Sequence, residues 1–471
     1  MQELIMNNNW PVITLKNYCL KIGSGATPKG GNSVYHSEGE ICLIRSQNVY
    51  NEGFRPDGLV YINEESANKL KNVIVEKNDI LLNITGDSVA RVCLVKEKYL
   101  PSRVNQHVAI IRVNPIELDA RFVRYFLASS KIQNLLLIIA SSGATRNALT
   151  KSMIEQLEVP KPKLEIQKSI ADKLSLLDDK ILLNTQINQT LESMAQAIFK
   201  SWFVDFEPVK AKIAAIEAGE DTESVNRAAM RAISGRSDDE LDQMQAGQPD
   251  DYAQLKDTAE LFPAAMWDSE LGEVPEGWGI ESIYEIANVI YGAPFKSKLF
   301  NQNKNGYPLI RIRDLKTLSP SNYTTENHPK GTLVYPGDVL VGMDAEFTPW
   351  TWLGEIGYLN QRVCMFKPTK NHIHKYFIYQ AIKPKLKFFE NANVGTTVIH
   401  LGKADINSFE VLTPNKDIFK SFYDIIDPIF SHKISNSQEL RTLSNLRDTL
   451  LPKLLSGELS VENIEINNAD I

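Results

Sequence analysis

The sequence lacks most of what catalysis, metal binding and membrane insertion require. Four cysteines (Cys19, Cys42, Cys93, Cys364) are scattered without a CxxC pair, which excludes a disulfide scaffold and a thiolate metal knuckle and fits buried, reduced thiols. The longest apolar run, Leu135-Leu136-Leu137-Ile138-Ile139-Ala140, is far shorter than the roughly 18 residues of a membrane span. The opening MQELIMNNNW has neither a basic stretch nor an apolar core, so a cytoplasmic protein without an export signal is expected. The phosphate-cradling GxxxxGK(S/T), the zinc-binding HExxH and the (D/N/S)PP(Y/F/W) tetrapeptide of amino-methyltransferases are missing; Asn114-Pro115-Ile116 comes nearest to the last. No His/Cys group has metal-ligand spacing. These absences make the chain an expected non-enzyme that binds no metal and no cofactor of its own.

Excess positive charge is lacking too, since the net charge is −7. The deficit is local. Residues 205–275 hold 17 acidic and 6 basic side chains, a net of −11, which leaves the rest of the chain at +4. A mildly basic remainder is compatible with nucleic-acid contact through local patches.

What the sequence has is a repeat. Ile170, Leu174, Leu177, Ile181, Asn184, Asn188, Leu191, Ala195, Ile198 and Trp202 follow an unbroken 4,3 spacing within Glu165–Phe203, the seam of a coiled coil. Adding 252 gives Phe422, Ile426, Ile429, Lys433, Asn436, Leu440, Leu443, Arg447, Leu450 and Leu454, the same register with two basic interruptions. About 39 residues at about 1.5 Å each make a rod of roughly 60 Å. The offset extends upstream: Gly143-Ala144-Thr145 matches Gly395-Thr396-Thr397, Lys151 matches Lys403, and Glu158-Val159 matches Glu410-Val411. A whole module has been duplicated, a globular part followed by a long helix. Asn184 and Asn436 share a d position, where a buried amide fixes register; antiparallel helices about a pseudo-twofold axis would bring the two together. Asp427-Pro428 predicts a kink or a late start in the second helix.

Each globular part repeats a set of polar signals. Gly-rich loops (Gly23 to Gly31 with Thr27 and Lys29; Tyr291 to Lys296) suit a backbone phosphate or a plain turn. The stretches Ile41–Asn48 and Tyr307–Asp314 each read as a strand that ends in Arg and hydrogen-bonding side chains, Arg45-Ser46-Gln47-Asn48 and Arg311-Ile312-Arg313-Asp314. Forked guanidinium and amide groups match guanine and adenine edges, though an arginine there can equally pair with a carboxylate. Asn105-Gln106 and Asn360-Gln361-Arg362 head apolar strands, as adenine readers or loop caps. Polar loops with Thr145 and Arg146, or Thr396 and Thr397, precede Lys151 and Lys403 and suit phosphate or groove contact. With Arg91, Lys296 and Lys298, these are the candidate DNA-contacting residues. Asp79 and Asp338 read as turn formers ahead of buried strands, and Arg121–Ala140 and His374–Asn391 as core helices.

SGATRNAL and LEVPKPKLEIQ before the first long helix, and GTTVIHLGKADI and FEVLTP before the second, resemble the specificity subunit of type I restriction–modification systems. So do Ile198–Val209, Leu261-Phe262-Pro263, Asp268–Pro275 and the tail Leu451–Leu459. The resemblance implies an α+β protein: two duplicated mixed α/β target-recognition domains joined by two long antiparallel coiled-coil helices, pseudo-twofold symmetric. Its expected segments are a first recognition domain (1–163), a central conserved helix (164–204), an acidic connector (205–275), a second recognition domain (276–415), and a C-terminal conserved helix and tail (416–471). The implied partners are double-stranded DNA, two methyltransferase subunits and two motor-nuclease subunits, which carry S-adenosylmethionine, ATP and Mg2+; no membrane is involved. The connector is expected to be helical or loosely ordered. A non-DNA coiled-coil adaptor, a DNA-modifying enzyme and a non-cutting phage-defence relative remain as alternatives.

Overall fold

The computed structural model describes residues 10–28, 30–141, 147–270, 272–392 and 399–463. Lys29, Thr145, Arg146, Thr396 and Thr397 lie outside the described residues. The chain divides into two compact units, residues 1–183 with 441–471, and residues 184–440. The division passes through both long helices, Leu164–Phe203 and Lys416–Leu455.

In the first unit, Cys19–Ser24, Val108–Val113, Ile80–Asn83 and Val92–Leu94 form an antiparallel sheet in that order. A second sheet has the order Val60–Ile62, Ile41–Ile44, Ser102–Val104, Ile74–Val75, with Ile41–Ile44 and Ser102–Val104 parallel. Strand periodicity sends alternate side chains to opposite faces. Ile80, Leu82, Ala109 and Ile111 face one core, which they share with Phe122 and Phe126, with Ile170, Ala171 and Leu174 of the first long helix, and with Leu454 and Leu455 at the end of the second. Leu81, Val108 and Ile110 face the other core, with Leu43, Ile44 and Val104 of the second sheet. The helical stretch expected over 121–140 is two helices, Ala120–Ala128 and Ser130–Ser141, bent by 72°. Ser129 breaks them with extended backbone, its Oγ donating to Phe126 O at 2.7 Å.

The second unit repeats this plan. Ala287–Tyr291, Val363–Pro368, Val339–Gly342 and Pro349–Thr351 form the antiparallel sheet, and Tyr307–Ile310 pairs in parallel with Gly357–Leu359 in a five-stranded companion. Val339, Val341, Cys364 and Phe366 share a core with Phe377, with Phe419, Phe422 and Ile426, and with Phe199, Trp202 and Phe203 at the end of the first long helix. Leu340, Val363 and Met365 face the companion sheet. Burial pushes the Cys19, Cys93 and Cys364 thiols up to about 12, which keeps them protonated at neutral pH.

All twenty seam positions are buried or half-buried. Within the second unit the helices run antiparallel: Asn184 Nδ2 donates to Glu439 at 2.7 Å, Asn188 Nδ2 to Ser437 at 3.1 Å, and Lys433 Nζ meets Glu192 at 2.5 Å. In the first, Arg447 Nη1 donates to Asp178 at 3.1 Å. The two basic interruptions of the seam therefore each find a carboxylate on the facing helix. The buried Asn184 and Asn436 do not pair through their amide nitrogens: Asn184 Nδ2 turns to Glu439, and Asn436 Nδ2 has no partner among the described residues. The late start expected at Asp427-Pro428 is also absent. The helix begins at Lys416 and runs through Pro428, supported by the burial of Phe419, Phe422, Ile426 and Phe430.

The acidic connector is helical. Of its four helices, Thr222–Ser234, Asp238–Gly247 and Pro249–Leu261 pack around Ala229, Met230, Leu241, Tyr252 and Ala259, and Glu207–Glu217 packs on Thr222–Ser234 through Ala215, Val225 and Ala228. Asp221 caps the second helix and Ser237 with Glu240 caps the third, each satisfying amides the helix leaves free. Among the described residues no single helix is long and apolar enough to cross a membrane.

Two predictions follow from this packing. Trp202, 1% exposed, meets Phe262 edge-on at 5.0 Å. Trp202→Ala should therefore cost the second unit about 3–5 kcal/mol in urea unfolding. His374 accepts from the Tyr376 amide at 3.0 Å through Nδ1, and burial lowers its pKa to about 4, against the opposing attraction of Asp427. The unfolded chain therefore takes up a proton that the folded one refuses as pH falls from about 6.5 toward 4. Stability should fall through that window by a few kcal/mol, and His374→Asn should flatten the slope; thermal unfolding between pH 7 and 4 measures both.

Candidate nucleic-acid interface

In both units the Gly-rich loop, the arginine after the parallel strand and the Asn-Gln pair are brought to one end of the two sheets. The Asn105 amide donates to Ile44 O at 3.1 Å and Asn360 to Ile310 O at 3.1 Å. The Gly loops seat against these residues. Gly25 N donates to Asn105 O at 3.2 Å, and Gly292 and Ala293 donate to Val363 O and Leu359 O, both at 3.1 Å. A Cβ on Gly25 would stand 1.7 Å from Val104 O, and one on Gly292 2.1 Å from Asn360 O. Only glycine permits that approach.

Arg45 and Arg311 occupy matching turns. The Arg45 amide donates to Asn48 Oδ1 and the Arg311 amide to Asp314 Oδ2, both at 3.0 Å. Asn48 is fully buried, and its Nδ2 donates to Arg55 O at 2.9 Å and Asp57 O at 3.2 Å; it shapes the loop and has no edge left for a ligand. Arg45 donates to Gly58 O at 2.6 Å and stacks over Tyr35, while Gln47 donates to Gly58 O at 3.1 Å. Arg311 is held by Asp314 at 3.2 Å and Ser321 at 2.9 Å, the carboxylate-paired option left open by the sequence. Asn105, also buried, accepts the His107 amide at 3.0 Å, as a loop cap does. Asp79 and Asp338 accept the amides of Glu76 and Tyr335 at 2.7 and 2.8 Å across their turns, and pair with Arg112 and Lys375.

The surface-facing candidates are fewer. In the first unit Gln106 is exposed, and its Oε1 accepts from the Thr27 hydroxyl. Its Nε2 lies 3.0 Å from His107 Nε2, and His107 Nδ1 lies 2.5 Å from Thr85 Oγ1. With Gln106 donating, His107 donates to Thr85, and the four side chains form one hydrogen-bonded chain. Arg91 stacks over Tyr50 at 4.6 Å, and Lys151 sits 3.6 Å from Glu155. In the second unit Lys296, Lys298, Arg313, Gln361, Arg362 and Lys403 are exposed, and Asn360 is half-buried. Arg362 Nε lies 3.6 Å from Asp344 Oδ2, and His400 Nδ1 lies 2.7 Å from Asp344 Oδ1. Asp344 and His400 were not among the sequence candidates. Nothing in their spacing of 56 residues signals the contact. No group of three or more His, Cys, Asp and Glu side chains among the described residues is arranged to hold a metal ion.

A family profile described as the type I restriction modification DNA specificity domain matches residues 7–193 and again residues 275–443. The chain belongs to that family. The double match falls on the two repeats recognised by the 252-residue offset. The type I restriction enzyme HindI specificity subunit of Haemophilus influenzae is 32% identical over 406 residues, covering 82% of this chain and 87% of that protein. The MjaIX specificity subunit of Methanocaldococcus jannaschii is 25% identical over 97% of this chain and 95% of its own. The crystal structure of a type I restriction–modification S subunit from M. genitalium shares the fold, with a TM-score of 0.54 at 16% identity over 95% of this chain and 96% of that one.

The glycine seats give a direct test. Gly25→Ala should destabilise the first unit by about 1–3 kcal/mol and speed amide exchange at residues 25 and 105. Gly23→Ala, whose Cβ would meet nothing within 4 Å, should do neither.

Proposed function

We propose that this specificity subunit is the DNA-reading part of its restriction–modification complex. Each module reads one half of a bipartite, asymmetric site in double-stranded DNA. The long helices set the unread spacer and dock two methyltransferase subunits, and two motor-nuclease subunits join the assembly in the cytoplasm. The chain itself is not catalytic: S-adenosylmethionine, ATP and Mg2+ belong to those partners.

One observation carries this reading. The same backbone frame occurs twice, and beside a shared glutamine (Gln106, Gln361) it presents different side chains at matching places: Thr85 and His107 in one copy, Asp344 and Arg362 in the other. A repeated scaffold with different polar tips suits two different base sequences, since donor and acceptor patterns distinguish base pairs in the major groove. Exposed Lys296, Lys298 and Lys403 suit phosphates that position without specifying.

Genomic DNA sequenced for methylation at single-base resolution, from cells with the chain and its neighbouring methyltransferase, should show a two-part motif that disappears when the chain is deleted. Unchanged methylation with an active methyltransferase would favour a protein adaptor instead.

A further inference from the structure

The two frames can be compared atom by atom. In the first unit, Ile84 N donates to His107 O at 2.9 Å and Leu149 N to Ile84 O at 2.8 Å; in the second, Met343 N donates to Arg362 O at 3.0 Å and Leu401 N to Met343 O at 2.8 Å. The isolated bridges Thr85 with Ala148 and Asp344 with His400 complete the match. Thr85 therefore corresponds to Asp344, His107 to Arg362 and Ala148 to His400. Where the first unit carries a hydroxyl and an imidazole, the second carries a carboxylate and a guanidinium.

The guanidinium is buttressed. Asp344 is fixed through its backbone, and the neighbouring Ala345 amide donates to Ile399 O at 3.0 Å. One carboxylate oxygen takes His400, the other faces Arg362 Nε. The Arg362 side chain is 57% exposed, and its two terminal nitrogens have no partner among the described residues. An arginine drawn toward a carboxylate on its Nε side keeps both terminal NH2 groups free for two acceptors, and the ion pair biases the direction in which the fork is presented. Guanine O6 and N7 are the acceptor pair that this fork fits in the major groove.

We infer that Arg362, positioned by Asp344 and His400, reads a guanine in the half-site of the second unit, and that the first unit has no guanine reader at the matching place. The inference rests on the DNA-reading function proposed above. Gln106 and His107 spend their polar atoms on each other, Thr27 and Thr85, so no fork is offered there.

The test begins with the wild-type complex of the full chain and its methyltransferase. Its motif is mapped, and duplexes are made with each guanine of the motif replaced singly by 7-deazaguanine, which lacks the N7 acceptor. One replacement in one half should weaken wild-type binding roughly tenfold to hundredfold. The same replacement should leave Arg362→Ala binding unchanged. In cells, Arg362→Ala and Arg362→Lys should relax that single position of the methylation motif and leave the other half intact. Asp344→Asn should relax the same position partially, which a merely structural carboxylate would not do. The inference is overturned if no guanine replacement affects the wild type more than it affects Arg362→Ala, if Arg362→Lys retains the full motif, or if relaxation spreads to both halves. Failure of the DNA-reading function itself would show earlier, as a wild-type complex with no two-part motif.

Discussion

Closure of each module's apolar sheet face is the constraint on which the rest depends. The face formed by Ile80, Leu82, Ala109 and Ile111 packs on Phe122, Phe126 and Leu136 of its own module, and it shares its core with Leu454 and Leu455 from the last turn of the second long helix. In the second unit the corresponding face takes Trp202 and Phe203 from the last turn of the first. Each repeat therefore supplies the end of the helix that the other needs. Hydrophobic burial of this kind is the dominant favourable term in folding, and it ties the sheet of each unit to a helix end rather than to a loop.

The ion pairs refine that arrangement. Asp178 gathers Arg124 at 3.1 Å, Tyr125 at 2.8 Å and Arg447 at 3.1 Å, and Glu192 gathers Tyr376 at 3.0 Å and Lys433 at 2.5 Å. Burial alone would raise the Glu192 pKa; the Lys433 ammonium and the hydrogen bonds outweigh it and hold the carboxyl below its ordinary value. These pairs are not copied by the duplication, because residues 430 and 444, the counterparts of Asp178 and Glu192, are Phe430 and Ser444. The helix pair is thereby marked as two non-identical halves, each with its own register lock.

Much of the fold was legible because it is periodic. The 4,3 spacing located both helices to within one residue, and the 252-residue offset located the repeat. Features set by contacts between distant residues were not legible. The charges at Lys433 and Arg447 look like flaws in a seam until Glu192 and Asp178 are placed opposite them. Asn48 and Gln47 are equally polar in sequence, yet one is fully buried and the other exposed, because a turn between strands closes over the first. The Asp344 buttress joins a loop, the head of a strand and an isolated bridge residue, His400, 56 residues on. Pro428 is tolerated because the aromatic face around it holds the helix that its ring would otherwise break.

The most direct measurement is the affinity of the reconstituted complex for duplexes that keep both half-sites and change only the length of the spacer between them. One added base pair moves the second half-site by about 3.4 Å and turns it by roughly a tenth of a helical turn. Under the proposed function, in which the long helices set the spacer, binding should fall steeply with one base pair gained or lost, down to the level of a single half-site. Equal affinity across several spacer lengths would contradict a fixed helical separation and leave the modules as independent binders.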